Sequence, residues 1–188
     1  MTLAIVLAAV GAVLVAYLLY LYNRLVRLRN EVDTGWSNID VTLKRRTDLI
    51  PNLVEAVKGY AAHEREVLQN VTEARAALQA AQTPIAAAAA DDLLGLALDR
   101  LFAVAEAYPD LKASENFLHL QEELVDTENK IAAARRYYNQ TVMVSNNAVQ
   151  TFPALLFAGA LGFRAREFFE ASEEDRQAIQ VTFDRTTA

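Results

Sequence analysis

Residues 2–22 read TLAIVLAAVGAVLVAYLLYLY, and no charged side chain interrupts this apolar run. At about 1.5 Å per residue, a helix of this length spans roughly 30 Å, the thickness of the hydrocarbon core of a bilayer. The run therefore predicts a membrane-spanning helix. Positions expected in the bilayer or at its surface include Thr2, Leu3, Val10, Val15, Tyr20 and Tyr22.

Two other interpretations of this run have to be weighed. A cleaved signal peptide would place basic residues ahead of a shorter apolar run and small residues at its end. Here no Lys or Arg precedes the run, and its end is occupied by bulky Tyr and Leu. A buried core helix is disfavoured because the apolar character covers every face. A membrane span remains the best interpretation.

The charges beside the run predict its orientation. Arg24, Arg27 and Arg29 follow it closely, whereas its N-terminal flank carries no Lys or Arg. Because basic residues beside a span tend to stay in the cytoplasm, we expect the N-terminus outside and the following domain inside, at the cytoplasmic (inner) membrane.

The composition of the remaining chain favours helices and excludes several kinds of chemistry. The whole sequence has only 6 Gly and 4 Pro, so interior helix breakers are scarce. It has no Cys, which excludes disulfides, thiolate metal ligands and Cys nucleophiles. Its net charge of −6 argues against nucleic acid as a partner, since phosphate binding needs a basic face.

Apolar residues recur every three or four positions after the span, which predicts four long helices. The first continues directly from the membrane span. Asp48 and Pro51 predict that it ends there and that a second helix runs over about 49–82. A third helix is expected over about 91–108, and a fourth, with coiled-coil spacing, over about 115–150.

These elements predict an all-α fold, in which an N-terminal transmembrane helix continues into an antiparallel up-down bundle of four long helices. The predicted division is a span over 1–23, a bundle over 24–172 and a polar, mobile tail over 173–188. With roughly 50 Å each, the second and fourth helices can return to the membrane. The Ala-rich segment near Pro84 and the end of the fourth helix are then expected at the bilayer surface.

The segment after the fourth helix is a candidate interface. Residues 152–163 read FPALLFAGALGF, which is apolar but too short to span a bilayer. This segment could lie on the membrane or bind a partner, or it could fold back as part of the core, and the sequence leaves both open. The candidate interface residues are Trp36, Phe152, Leu155, Leu156, Phe157, Leu161, Phe163, Phe168 and Phe169.

The densest polar cluster lies at the predicted first turn of the bundle. Its members are Arg45, Arg46, Asp48, Asn52 and Glu55. The cluster could bind a partner or an acidic ligand. The simpler interpretation, which we favour, is that these residues satisfy helix-end groups and form local ion pairs.

Catalytic motifs are weak in this sequence. His63 and His119 lack the paired Glu-x-x-His motifs of di-iron bundles and the zinc-protease pattern. The sequence also lacks a Gly-rich phosphate loop and a Gly-x-Ser-x-Gly elbow. We therefore expect no catalytic residues, no metal and no cofactor. An enzyme with an unrecognised site between helices remains a further hypothesis, beside the two given at the end of this subsection.

Three segments of the chain resemble the LemA family. They are YNRLVRLRNEVDTGWSNIDVTLKRRTDLIPNLVEAVKGYAAHE at 22–64, YPDLKASENFLHLQEELVDTENKIAAARRYYN at 108–139, and the FP…GF…FF pattern of 152–169. One departure is Val144-Ser145-Asn146, where the family pattern has an aromatic residue before the Asn. The resemblance implies a bacterial or archaeal membrane protein with one N-terminal span and a helical domain, and it implies no particular activity.

The sequence as a whole predicts a membrane-anchored scaffold or adaptor that self-associates into a homo-oligomer. Anchoring concentrates the chains in two dimensions, so weak interfaces between them suffice. Membrane lipid is the expected partner, beside an unidentified membrane protein. The alternative function is a membrane-shaping protein that acts on lipid through residues 152–169.

Overall fold

The computed structural model describes residues 1–169 and contains helices but no strands over that range, which confirms the all-α prediction. The predicted tail at 173–188 lies outside the described residues. The helices are α1 (Thr2–Lys58), α2 (Arg65–Ala80), α3 (Pro84–Ala105), the short α4 (Pro109–Lys112) and α5 (Glu115–Gln150), followed by a 3-10 turn (Ala154–Leu156).

Helix α1 continues through the position where the sequence predicted a break. Pro51 lies inside it, and the helix ends at Lys58, so the predicted end at Asp48 and restart at Pro51 were wrong. Proline has no N–H, so the carbonyl of Thr47, four residues earlier, loses its helical donor. Arg75 of α2 supplies a replacement, because its Nε donates to the Thr47 carbonyl at 2.8 Å. The missing helical bond is thus replaced by a contact between two helices.

The later break changes the lengths of the helices. Beyond Tyr22, α1 extends about 54 Å, as does α5, whereas α2 is only about 24 Å long. The expected 50 Å second helix was therefore wrong. The Ala-rich segment does not reach the membrane end either, since Ala81 and Ala87 lie beside Trp36, about 20 Å along α1 from Tyr22. That segment belongs to α3, which begins at Pro84 and is capped by Thr83.

Helices α1 and α5 form the antiparallel pair on which the rest of the bundle is built. They approach closely at Gly35, where an added Cβ would lie 3.3 Å from the Tyr138 Cα and the Thr141 Oγ1. Trp36 packs its ring against Tyr138 at 5.9 Å between centroids. The stripe predicted for α5 forms most of its buried face, which comprises Phe117, Leu124, Thr127, Ile131, Tyr138, Thr141, Val142, Ser145 and Ala148.

The N-terminal part of α1 packs against nothing in the described protein. Its most apolar stretch of 18 residues has a mean hydropathy of 2.6, and none of that stretch is buried in the described structure. Among the described helices, α1 has the length and composition to cross a membrane. Burial begins at Leu21, at the C-terminal end of the apolar run. Such an exposed apolar surface, long enough to span a bilayer, is typical of a segment in contact with lipid, and it indicates that the protein is membrane-associated.

Candidate membrane interface

The end of α5 returns to the end of the apolar run, as the up-down order predicts. A small core forms there from Leu25 on α1, Ala148 on α5, and Ala158 and Phe163 beyond α5. The Phe163 ring meets the Tyr22 ring edge-on at 5.7 Å between centroids. Tyr22 closes the apolar run, so this contact fixes the segment after α5 beside the C-terminal end of the predicted span.

Residues 152–163, which we call the apolar loop, have two faces. Ala154, Ala158 and Phe163 are buried against the bundle. The large side chains of the other face are open to solvent, with Phe152 at 80% and Leu156 at 64% exposure. The buried face agrees with the interpretation that the segment folds back onto the core, whereas contact of the exposed face with the membrane or a partner stays a prediction. The outward residues are Phe152, Leu155, Leu156, Phe157 and Leu161.

Residues 164–169, which we call the strap, leave the apolar loop and run along α5. Asn146 brackets Arg166, donating to its carbonyl at 2.9 Å and accepting from its N–H at 2.8 Å. Asn139 brackets Phe169 in the same way, with both bonds at 2.8 Å. On α5, Asn139 and Asn146 are seven residues apart, which corresponds to a rise of about 10.5 Å. In the extended strap, Arg166 and Phe169 are three residues apart, which corresponds to about 10 Å. The two bonded positions of the strap therefore match one heptad of α5.

Side chains hold the strap at further points. The Tyr138 hydroxyl donates to the Glu167 carbonyl at 2.9 Å, and burial raises the pKa of this phenol, which keeps the donor protonated. Arg166 pairs with Asp33 on α1. At the far end, Phe169 is fully buried, and its ring lies 4.8 Å from the Arg135 guanidinium. The neighbouring Phe168 stays partly exposed.

Arg135 also belongs to a buried charge cluster that joins α1, α3 and α5. Asp91 is its centre, with a side chain that has no exposed surface. One carboxylate oxygen accepts from Arg46 at 2.6 Å, and the other accepts from Arg135. Arg46 also reaches Glu128 at 2.8 Å. Because each buried charge has an opposite partner, the cluster ties the three helices together at one level.

The predicted polar cluster does not form one site. Arg46 turns into the buried charge cluster, whereas Arg45 binds Glu123 on the surface at 2.6 Å, a hydrogen bond that raises the Arg45 pKa. The others make local surface contacts: Asp48 with Lys44 at 2.9 Å and Glu55 with Lys58 at 3.3 Å, while Asn52 lines a shallow groove with His119. Arg46 and Asp48 do not cap a helix end, since α1 continues past them.

Sequence reasoning missed the central members of the charge cluster. It assigned no role to Arg135, although the side chain of this residue is only 17% exposed. It did not single out Asp91 either. A signal was present, because Asp91 falls on the apolar stripe of α3, with Ala87, Leu94 and Leu98. A lone carboxylate on a buried stripe needs a cationic partner from another helix.

A cleft of about 650 Å³ opens beside the cluster, between α3 and α5. Its walls mix Asp92, Asp99 and Gln121 with the apolar Leu96 and Val125. Over residues 1–169, no group of three or more His, Asp or Glu side chains is placed to hold a metal ion. His63 lies in the turn after α1, and His119 lies on the exposed face of α5. Beside this cleft, the carboxylate of Asp91 is paired with the guanidinium groups of Arg46 and Arg135.

These features define a membrane-associated all-α protein in which one apolar helix continues into a bundle, and the last long helix of the bundle returns to the C-terminal end of the apolar run. The family model of the LemA family matches residues 35–183, so the chain belongs to the LemA family, as its motifs predicted.

Named relatives agree with this assignment. Protein LemA of Metamycoplasma hominis is 30% identical, over 85% of this chain and 74% of that protein. Magnetosome protein MamQ of Magnetospirillum gryphiswaldense is 28% identical, over 81% of this chain and 65% of its own length. Magnetosome protein MamQ 1 of Paramagnetospirillum magneticum is also 28% identical, over 83% and 67%. The chain thus spans about two thirds of the length of these magnetosome proteins.

Proposed function

We propose that this protein is a membrane-anchored scaffold that holds its helical bundle at a fixed angle to the membrane through two contacts. The first contact is the span at the start of α1, and the second is the apolar loop. The observation that carries the proposal is the 5.7 Å contact between Tyr22 and Phe163, which ties the loop to the end of the span. A helix alone could tilt about its membrane exit, whereas a second attachment opposes that tilt.

The exposed face of the apolar loop is large enough to matter energetically. Phe152, Leu155 and Leu156 are each at least 60% exposed. Full transfer of one such side chain out of water contributes about 1.5–3 kcal/mol. Scaled by their exposed fractions, the three together would contribute roughly 3–6 kcal/mol, enough to favour the loop in the interface.

Single cysteine variants test the second contact, because the chain has no native Cys. Leu156→Cys carries a spin label on the loop, and Val125→Cys, at a position of similar exposure on α5, is the matched control. In proteoliposomes of the full chain, we expect the label at 156 to be accessible to oxygen and shielded from a water-soluble nickel relaxant. The label at 125 should show the reverse. Equal access of the nickel relaxant to both positions would contradict the proposal.

The orientation of the scaffold follows from Arg24, Arg27 and Arg29, which favour a cytoplasmic bundle at the inner membrane. A membrane-impermeant thiol reagent added to intact cells tests it. Thr2→Cys should be labelled at once, and Val125→Cys should be labelled only after the cells are permeabilised. The opposite pattern would place the bundle outside.

Self-association is the second part of the proposal. Leu93 and Leu96 are each more than half exposed on α3, and they offer apolar surface to a second copy. Anchoring in one membrane raises the effective concentration of such a weak interface. Crosslinking in native membranes should give dimers or larger species, and Leu93→Ser/Leu96→Ser should reduce them. A strict monomer with no partner would exclude the scaffold role.

The proposed scaffold has no catalytic step. Both Asp91 oxygens accept from guanidinium groups, which leaves this buried carboxylate a structural role. Any His-dependent chemistry would have to use His63 or His119. We expect the double variant His63→Gln/His119→Gln to retain the cellular phenotype of the wild type. Loss of the phenotype with an intact fold would favour an enzyme.

A membrane-shaping function is the second candidate, and the two faces of the apolar loop favour it. Because five of the six large side chains of the loop are exposed on one face, insertion would wedge a single leaflet. Purified full-length protein should then deform liposomes, and Phe152→Ser/Leu156→Ser should not. Unchanged liposome shape with the wild type would exclude this second function and leave the scaffold proposal standing.

A further inference from the structure

Basic side chains outnumber acidic ones in the part of the protein next to the span. Residues 20–30 and 150–166 include Arg24, Arg27, Arg29, Arg164 and Arg166 but no Asp or Glu. The whole chain, in contrast, has a net charge of −6. The fold brings the two stretches together, because the Phe163 ring lies 5.6 Å from the Arg29 guanidinium and Arg164 follows directly. Basic charge is thus concentrated at the membrane boundary.

Four of these arginines have no acidic partner within residues 1–169. Arg166 pairs with Asp33, but Arg24, Arg27, Arg29 and Arg164 form no ion pair there and are exposed. Elsewhere, Arg45, Arg46 and Arg135 are each satisfied by carboxylates. Four unpaired guanidinium groups around one end of a bundle attract an anionic surface.

The orientation rule accounts for only part of this pattern. That rule concerns basic residues that flank a span in the sequence, which describes Arg24, Arg27 and Arg29. Arg164 is remote in sequence and reaches the span only through the return of α5 and the apolar loop. Its position therefore indicates a surface assembled by folding.

We propose that Arg24, Arg27, Arg29 and Arg164 form a basic collar that binds the phosphate groups of anionic phospholipids in the leaflet beside the bundle. The inference rests on the proposed function, since it needs the apolar loop at the interface. Guanidinium groups bind phosphate oxygens in a bidentate manner. The loop side chains would enter the acyl region, and the collar would lie at the level of the headgroups. Each basic residue near an anionic surface strengthens association roughly fivefold.

Lipid selectivity of the reconstituted full chain tests the collar separately from its role in orientation. Proteoliposomes contain phosphatidylcholine with a trace of spin-labelled phosphatidylglycerol or spin-labelled phosphatidylcholine. Electron paramagnetic resonance measures the fraction of each labelled lipid that the protein immobilises. We expect the wild type to prefer phosphatidylglycerol severalfold, and high salt to reduce that preference because it screens exposed charges.

Charge variants at exposed positions supply the comparison. Arg29→Gln/Arg164→Gln should lower the severalfold preference to near equality, because each basic contact contributes up to roughly fivefold. Arg29→Lys/Arg164→Lys should retain most of it. The matched control Arg65→Gln/Arg100→Gln removes the same charge from exposed sites on α2 and α3 and should leave the preference unchanged. Circular dichroism verifies that each variant is folded.

Three outcomes would overturn the collar. One is equal immobilisation of both lipids by the wild type, and another is an equal loss in the control and the collar variant. If the label at Leu156→Cys lies in lipid and selectivity is absent, the collar fails while the scaffold proposal stands. The third outcome is that the label at Leu156→Cys lies in water, which would overturn both the collar and the scaffold proposal.

Discussion

Pro51 and Arg75 should show a strong energetic coupling, because both act on the carbonyl of Thr47. Pro51 removes the helical donor to that carbonyl, and Arg75 provides the replacement bond at 2.8 Å. Thr47 is only 2% exposed, so water cannot easily substitute. A buried acceptor without a partner costs about 1–3 kcal/mol. We therefore expect Arg75→Met to lower the free energy of unfolding by that amount.

The destabilisation caused by Arg75→Met should be smaller in a variant that restores the helical donor. In Pro51→Ala, the new N–H can donate to the Thr47 carbonyl, so Arg75→Met would leave no unsatisfied acceptor. We expect its cost there to be below about 1 kcal/mol, because only one of two hydrogen bonds to this carbonyl is lost. The coupling energy between positions 51 and 75 should therefore be about 1–2 kcal/mol.

Urea unfolding of the full chain in mild detergent measures all four members of this cycle. Trp36 is the sole Trp, and it packs against Tyr138, so its fluorescence reports on the α1–α5 contact. Arg100→Met, on the exposed surface of α3, is the matched control and should show no coupling to Pro51→Ala. Additivity within about 0.5 kcal/mol at positions 51 and 75 would refute the explanation of the continuous helix.

Three further predictions concern the strap and the charge cluster. Asn139→Ala should speed amide exchange of the strap up to about 30-fold, for the roughly 2 kcal/mol of two hydrogen bonds. Asn146→Ala, at a more exposed site, should speed amide exchange less than Asn139→Ala does. The reverse order would contradict the proposed contacts of the strap. Asp91→Ala leaves two buried guanidinium groups without their carboxylate and should cost about 3–5 kcal/mol by urea unfolding, far more than Asp99→Ala on the cleft wall. Burial raises the pKa of Tyr138 above its ordinary 10.0, so its contribution to stability is present below that pH and is lost as pH rises through the higher folded value. The fall in melting temperature at alkaline pH should thus be smaller in Tyr138→Phe, and an equal fall would exclude this role.

Local periodicity was sufficient to predict the helices whose ends are set by local signals. The fourth predicted helix, over about 115–150, agrees with α5 at Glu115–Gln150. The break at Pro51 was predicted from an equally local signal, yet it failed. Its outcome depends on Arg75, which lies on another helix. Sequence position alone does not reveal such a donor, so tertiary contact overrode the local preference.

The interface was predictable in composition but not in geometry. Hydropathy identified the apolar loop, yet which of its residues face outward depends on the small Ala154 and Ala158 that pack against the bundle. Asn139 and Asn146 stand one heptad apart in the sequence, but that spacing has meaning only once an extended segment lies beside α5. The charge cluster likewise needs three helices at one level. Sequence periodicity does not determine which distant segments of the chain contact each other.

The strap connects the membrane interface to the interior of the bundle. It begins directly after Phe163, which lies beside the end of the predicted span, and it ends at Phe169, whose ring contacts the guanidinium of Arg135. Arg135 shares Asp91 with Arg46, and Arg46 lies on α1, the helix that carries the predicted span. The contacts therefore form a closed ring from the span through the loop, strap and charge cluster back to α1. Because a closed ring of specific contacts resists bending more than a single helix does, a change in the angle between span and bundle must break the strap or the charge cluster. Either break would appear as faster amide exchange at Phe169.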